Sequence, residues 1–129
     1  MTFKKTAKTL PQGAHTLERE YYINPDILEK EHDKIFLENW ICAGRSSELS
    51  KSGRYKVINL GTESAIVLRD ETGNLKAHIN VCRHRGTRIC QESLGQFSKS
   101  IQCGYHGWSY GLNGDLIGSP HMDDVDGFI

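Results

Sequence analysis

Apolar residues recur at roughly helical spacing between residues 21 and 40. Ile27, Leu28, Ile35 and Phe36 follow the segment Asn24-Pro25-Asp26. Such a segment is typical of a helix start, because Asn caps the first turn, Pro fits its backbone angle and Asp favours the positive end of the helix dipole. We therefore predict a helical approach over residues 21–40, with one helix from Pro25 to about Glu38, after a polar arm at residues 1–20.

From residue 41 onward the apolar residues alternate with polar ones or form short runs, which is the pattern of β-strands. Two intervening stretches, Asp70–Asn74 and Gly111–Gly114, have turn composition, and the second contains the Asn-Gly pair that hairpins favour. The predicted strands cover residues 55–60, 65–68, 75–81, 100–102, 108–110 and 115–117. Short strands joined in this way indicate a mostly β domain at residues 41–118, a small antiparallel sandwich or barrel.

Length and charge narrow the class of protein. The 129 residues are enough for a single domain with its own core. The 16 Lys and Arg residues balance 16 Asp and Glu residues, so a net charge of zero gives no general attraction to nucleic acid or to an anionic membrane. No apolar run reaches the roughly 20 residues that span a bilayer, and none follows the basic start, so we expect a cytoplasmic protein.

Two of the four cysteines form similar motifs with histidine. Cys82-Arg-His84 and Cys103-Gly-Tyr-His106 each place one thiol and one imidazole in a glycine-containing loop after a predicted strand. Because thiols stay reduced in the cytoplasm, metal binding is a better interpretation of these cysteines than disulfides. We expect the two loops to lie at adjacent strand ends and to close on one metal centre.

Two thiolates and two imidazoles suit a [2Fe–2S] cluster that transfers single electrons. Two ferric ions and two sulfides sum to +2, so this ligand set gives a net charge of zero, whereas four thiolates would give −2 and make the cluster harder to reduce. Zinc is the alternative metal, since Cys₂His₂ is a structural zinc set. Zinc fingers usually place both cysteines before both histidines, however, and these motifs do not. A zinc-stabilised binding module is therefore the less favoured alternative.

The motifs resemble the two cluster-binding boxes of the Rieske family, and within it those of the large (α) subunits of Rieske non-haem iron oxygenases. The similar segments are Asn80–Cys90 and Cys103–Tyr110, and weaker similarity extends upstream to Glu20. The resemblance implies a Rieske-type domain that holds one [2Fe–2S] cluster per chain through Cys82, His84, Cys103 and His106. It also implies a reductase or ferredoxin as electron donor, and a trimer of α subunits in the full-length protein.

Family α subunits have a second domain that binds mononuclear non-haem Fe(II) through two histidines and a carboxylate. The remaining histidines, at positions 15, 32, 78 and 121, form no such motif. We interpret residues 119–129 as the start of that catalytic domain, cut short after Phe128 and Ile129, which we expect to lack packing partners.

The resemblance thus implies the electron-transfer domain of an aromatic-ring-hydroxylating dioxygenase or of an amine-demethylating monooxygenase. Without the second iron, the chain alone is expected to transfer electrons and to oxygenate nothing. A free-standing Rieske ferredoxin is the alternative, which the helical approach and the residues after Ser119 disfavour.

Three residues outside the motifs are interpreted as structural. We expect Cys42 to be a small core residue, Cys90 to be a buried thiol near the first loop, and His78 to pack rather than bind metal. The spacer between the motifs is slightly long for the family, so we expect a longer loop around Gln91–Lys99.

Aromatic and basic residues flank the proposed ligands. Trp108 and Tyr105 are expected to pack around the cluster, and Tyr110 is a candidate hydrogen-bond donor to it. The first loop is basic. Its three arginines are interpreted as solvated charges, with docking of an acidic electron partner as the alternative: Arg83, Arg85 and Arg88.

Overall fold

The computed structural model describes residues 12–122, 124–126 and 128, and the chain divides into two compact units, Met1–Glu38 and Asn39–Ile129. In the first unit, helix α1 (Glu20–Ile23) is followed by helix α2 (Pro25–Glu31), which continues as a π-helical turn, His32–Phe36. Residues 12–19 are exposed and form neither helix nor strand, and residues 1–11 of the predicted arm lie outside the described part of the chain.

Asn24 divides the helical region into two helices. Its extended backbone (φ −82°, ψ 120°) ends α1, and its side chain accepts a hydrogen bond from Asp26 N at 2.9 Å, so the predicted cap of α2 is confirmed. The helical region ends at Phe36, short of the predicted Glu38, with Leu37 N bonded to His32 O in the wider π spacing. No helix of the described residues is long and apolar enough to cross a membrane.

Within its described residues, the second unit contains seven strands in two antiparallel sheets. The larger sheet is formed by β1 (Arg54–Leu60), β2 (Glu63–Arg69), β3 (Leu75–Ile79) and β4 (Leu94–Gln96), in the order β3-β2-β1-β4. The smaller sheet is formed by β5 (Ser100–Gln102), β6 (Ser109–Gly111) and β7 (Leu116–Gly118), in chain order. A 3₁₀ turn, Ser46–Leu49, precedes β1. The expected fold class, mostly β with a helical segment before it, is confirmed.

One hydrophobic core joins residues of both sheets. On β2 every second residue is buried, so Ile66 and Leu68 face the core, where they meet Ile101 of β5 and Tyr110 of β6. Cys82, Cys90, Cys103 and Trp108 belong to the same core. The two Cys-His loops are therefore anchored in the main core of the domain. The burial of Cys90 confirms the expectation for that thiol.

Three expectations about packing were wrong. Cys42 is exposed, because it lies in the irregular segment before the 3₁₀ turn and outside the strands that build the core. The expected loop at residues 91–99 contains strand β4, in which Gly95 lies so close beneath the Tyr55 ring that a Cβ would overlap it. Phe128 does have a packing partner, since its ring meets Trp108 edge to face at 5.5 Å; Ile129 lies outside the described residues.

Candidate metal centre

The two Cys-His motifs fold into loops with the same backbone hydrogen bonds. Cys82 N and Cys103 N each donate to the carbonyl five residues later, at 2.8 Å in both loops. Each cysteine carbonyl accepts from the glycine four residues later, Gly86 at 2.9 Å and Gly107 at 3.1 Å. Both glycines have positive φ, 72° and 75°, a conformation that costs glycine no steric strain. Each loop thus turns tightly around its own cysteine.

The loops approach each other from different sheets, which corrects the expectation that they follow adjacent strands. The first loop follows β3 at the edge of the larger sheet, and the second joins β5 to β6 in the smaller one. His78 of β3 links the sheets beside the loops, because its Nε2 lies 3.0 Å from Leu112 O in the turn between β6 and β7. This placement agrees with the structural role expected for His78.

The two motif histidines face each other through their Nδ1 atoms. His84 Nδ1 and His106 Nδ1 are 3.1 Å apart, and the two rings are inclined at 67°. Two imidazole nitrogens bound to one tetrahedral metal at about 2.0–2.1 Å stand roughly 3.3 Å apart. The observed spacing therefore fits two ligands of a single iron.

Cys82 and Cys103 form the second pair, and only 1% and 2% of their surfaces are exposed. Burial alone would raise the pKa of Cys82. Hydrogen bonds from the Tyr110 hydroxyl and from the backbone N–H groups of His84 and Arg85, together with contact with the Cys103 thiol, instead hold the pKa of Cys82 below its usual range. A lowered pKa favours the thiolate, which is the form that binds metal.

Tyr110 is placed to donate to Cys82 sulfur. Its hydroxyl oxygen lies 3.2 Å from Cys82 Sγ and accepts a hydrogen bond from Arg83 N at 3.1 Å, which leaves the hydroxyl hydrogen for the sulfur. Burial and the neighbouring Cys82 raise the pKa of Tyr110 to about 12. The hydroxyl therefore stays protonated at neutral pH and fits the donor role considered for it.

The histidine pair lies nearer the surface than the cysteine pair. The buried Trp108 stacks on His84, with centroids 4.7 Å apart and planes inclined by 6°, so its expected packing role is confirmed. The Tyr105 ring lies 3.7 Å from the His106 ring, between centroids, but is 60% exposed, so it covers this imidazole from the solvent side. Burial lowers the pKa of His106, and charges on His84, Arg85 and His121 lower it further, which favours the neutral imidazole that binds metal.

The arrangement in pairs suits two irons better than one zinc ion. Among the described residues, no three His, Cys, Asp or Glu side chains surround a single metal position. A structural zinc ion needs four such ligands around one point. A [2Fe–2S] cluster would need two protein ligands for each of its two irons. One histidine pair and one cysteine pair fit that requirement.

Asn80 belongs to this site although sequence reasoning assigned it no role. Its buried side chain forms two hydrogen bonds with the backbone of Cys90, on the other side of the first loop. The available signal was a polar amide at the end of a predicted strand, directly before the first motif. Such a residue has many possible partners, so the signal was weak.

Comparison with known proteins gives a family and several relatives. A family model described as the Rieske [2Fe-2S] domain matches residues 39–128. The oxygenase subunit of glycine betaine monooxygenase from Chromohalobacter salexigens is 37% identical over 117 residues, which are 89% of this chain and 26% of that protein. The alpha subunit of biphenyl 2,3-dioxygenase from Rhodococcus jostii is 32% identical over 119 residues, 92% of this chain and 26% of that subunit. The chain thus spans about a quarter of the length of these relatives.

Solved structures extend the likeness to the fold. The apo form of a quaternary ammonium Rieske monooxygenase matches with a TM-score of 0.80 and 31% identity, over 88% of this chain and 33% of that one. Naphthalene 1,2-dioxygenase from Rhodococcus sp. matches with a TM-score of 0.72 and 35% identity, over 79% of this chain and 23% of that one. Since the family model covers nearly all of the strand-built unit that carries both loops, the chain belongs to the Rieske [2Fe–2S] domain family and corresponds to the N-terminal region of Rieske oxygenase α subunits.

Proposed function

We propose that the chain is the electron-transfer domain of a Rieske oxygenase α subunit and that Cys82, His84, Cys103 and His106 hold its [2Fe–2S] cluster. The observation that carries this proposal is the pairing of the four side chains. The histidine Nδ1 atoms are 3.1 Å apart near the surface, and the cysteine thiols are in contact in the core. When bound, the cluster supplies reversible one-electron chemistry.

The buried and the half-buried residues of the proposed site have different roles. The buried Cys82 and Cys103 keep the sulfur side of the site away from water, and Tyr110 offers a hydrogen bond to a sulfur that becomes more negative on reduction. His84 and His106 are only half-buried, and their Nε2 atoms lie on the far side of each ring from Nδ1. These imidazole edges are where a proton is exchanged and where an electron partner approaches.

An acidic electron donor is the partner that suits this surface. Arg83, Arg85 and Arg88 are exposed, and within the described ranges no carboxylate lies at salt-bridge distance from any of them. Three positive charges within six residues, beside the histidine pair, attract an acidic docking face and speed its association. A reductase or a ferredoxin with such a face fits the role.

Oxygen chemistry belongs to a second iron site. The described residues contain no group of His and carboxylate side chains that could hold a mononuclear iron. Such a site, a non-haem Fe(II) in a catalytic domain into which residues 119–129 lead, completes the proposal. The relatives' names give two substrate classes for the complete subunit, aromatic hydrocarbons and quaternary amines. A cytoplasmic trimer is its proposed form.

Stopped-flow reduction of the anaerobically purified chain tests the proposal. We expect NADH and a reductase, with or without a ferredoxin, to bleach the visible absorbance and air to restore it. Addition of biphenyl or glycine betaine should yield no oxygenated product from the chain alone. Visible absorbance that no reductant bleaches would refute the electron-transfer role, and product formation would show an iron site within this chain.

A further inference from the structure

The two ligand loops are closed at their bases in different ways. The second loop is flanked by paired strands, with Gln102 of β5 opposite Ser109 of β6, so a backbone ladder joins its two ends. The first loop follows β3, but residues 86–93 belong to no strand. Strand pairing therefore cannot join the ends of the first loop.

The side chain of Asn80 takes the place of the missing ladder. Asn80 Nδ2 donates to Cys90 O at 2.9 Å, and Cys90 N donates to Asn80 Oδ1 at 2.8 Å. Asn80 N itself donates to Ser64 O of β2 at 2.9 Å, which ties the residue to the larger sheet. One amide thus makes the two reciprocal hydrogen bonds that a strand neighbour would make.

The chemistry of this position requires a donor and an acceptor together. Asn80 is fully buried, so each amide atom left without a partner would carry the full desolvation cost. An aspartate would keep the acceptor for Cys90 N but would lose the donor to Cys90 O, and an alanine would lose both. The Cys90 side chain takes no part, because its thiol contacts the Tyr55 hydroxyl instead.

We infer that Asn80 is a positioning residue for the metal centre: its side chain fixes the span from Asn80 to Cys90 and thereby holds Cys82 and His84 in place for the cluster. This inference rests on the ligand assignment proposed above. Cys82 is two residues from Asn80, and its sulfur lies 3.2 Å from the Tyr110 hydroxyl. Loss of the contact between Asn80 and Cys90 therefore allows Cys82 to move relative to Tyr110. The second loop keeps its shape, because paired strands join its ends.

The test compares cluster-loaded Asn80→Ala and Asn80→Asp with Cys90→Ala. Loss of residues that support metal ligands typically weakens a site about 10–100-fold, so Asn80→Ala should release its cluster to an iron chelator about 10–100-fold faster than wild type. Asn80→Asp, which keeps one bond, should show a smaller increase. Both variants should have a lower midpoint potential, because the hydrogen bond from Tyr110 to Cys82 lengthens. Cys90→Ala removes a buried side chain but keeps both main-chain partners, so it should release the cluster at close to the wild-type rate.

The inference is overturned if Asn80→Ala releases its cluster no faster than Cys90→Ala, or if neither Asn80 variant changes the midpoint potential. Should Asn80→Ala fail to fold, Asn80→Asp against Cys90→Ala decides by the same two measurements. A wild-type chain that holds no [2Fe–2S] cluster is a separate failure, since it refutes the ligand assignment itself. If the wild-type chain holds the cluster and the Asn80 variants match it in release rate and midpoint potential, only the role of Asn80 is refuted.

Discussion

Among single residues, Tyr110 is the side chain best placed to tune the redox potential. Its hydroxyl lies 3.2 Å from Cys82 Sγ, and reduction of the proposed cluster would increase the negative charge on that sulfur. Tyr110→Phe removes this donor. Because a neutral hydrogen bond contributes about 0.5–1.5 kcal/mol, the midpoint potential should fall by about 20–60 mV in protein-film voltammetry.

Tyr55→Phe is the matched control for that measurement. Tyr55 is also buried, but its hydroxyl interacts with Cys90, which is not a proposed ligand. The midpoint potential of Tyr55→Phe should remain at the wild-type value. A Tyr110→Phe midpoint equal to or above that of wild type would show that the hydroxyl does not stabilise the reduced state.

The proposed ligands could be identified from the sequence because each pair lies in a short local motif. Contacts between residues far apart in the chain could not be identified in this way. Cys82 and His84 are two residues apart, so the chemistry of their motif is visible without a fold. The bond from Asn80 to Cys90 crosses ten residues and joins a side chain to a backbone, so it leaves no periodic pattern. Cys42 was misplaced because the burial of a cysteine depends on the element that carries it, and no strand carries Cys42.

At the scale of elements, Gly53 governs the approach of β4 to the start of β1. Gly53 has φ +74°, and a Cβ there would overlap Phe97 O, while Phe97 N donates to Gly53 O at 2.9 Å. Gly53→Ala should therefore separate β4 from β1. It should lower the free energy of unfolding by clearly more than the backbone strain of an alanine at positive φ would by itself. Urea denaturation of the cluster-loaded protein measures this loss.

Gly73→Ala isolates the contribution of backbone strain. Gly73 has a similar φ, +85°, but a Cβ there meets nothing within 4 Å. Its substitution should cost only the penalty of a left-handed residue, about 1–2 kcal/mol. Equal losses in the two variants would contradict the proposed overlap at Phe97.

Elements with a strong local pattern were predicted well. Alternation located β1, a short apolar run located the middle of β2, and the Asn-Gly turn located the hairpin of β6 and β7. Strand β4 was missed because Leu94-Gly95-Gln96 has no β-branched or aromatic residue, and the strand is instead positioned by the Tyr55 ring over Gly95. The π-helical turn after α2 was missed for a related reason, since apolar spacing does not specify which carbonyl each N–H meets.

For the whole molecule, a net charge of zero conceals a local excess of positive charge beside the histidine pair. Arg88→Gln removes one exposed charge from this loop. Electrostatic steering can raise association rates by 10–10³ in total, so loss of one charge should slow reduction by an acidic donor protein by about three- to tenfold at low salt. The second-order rate constant from stopped-flow absorbance measures this effect.

The salt dependence of that rate provides the check. The difference between Arg88→Gln and wild type should shrink as ionic strength rises, because salt screens exposed charges. Arg54→Gln removes an exposed charge of β1, outside the loop, and should leave the rate unchanged. Equal losses in both variants would mean that the donor responds to total charge and does not dock at the loop.

The proposed function depends on the binding of a [2Fe–2S] cluster by Cys82, His84, Cys103 and His106. It is tested most directly by the iron and acid-labile sulfide content of the anaerobically purified chain, with EPR of the reduced protein carrying nitrogen-labelled histidine. We expect about two irons and two sulfides per chain and coupling to two histidine nitrogens, all lost in Cys82→Ser and kept in Cys90→Ser. A colourless chain that contains one zinc ion after expression in iron-rich medium would contradict it.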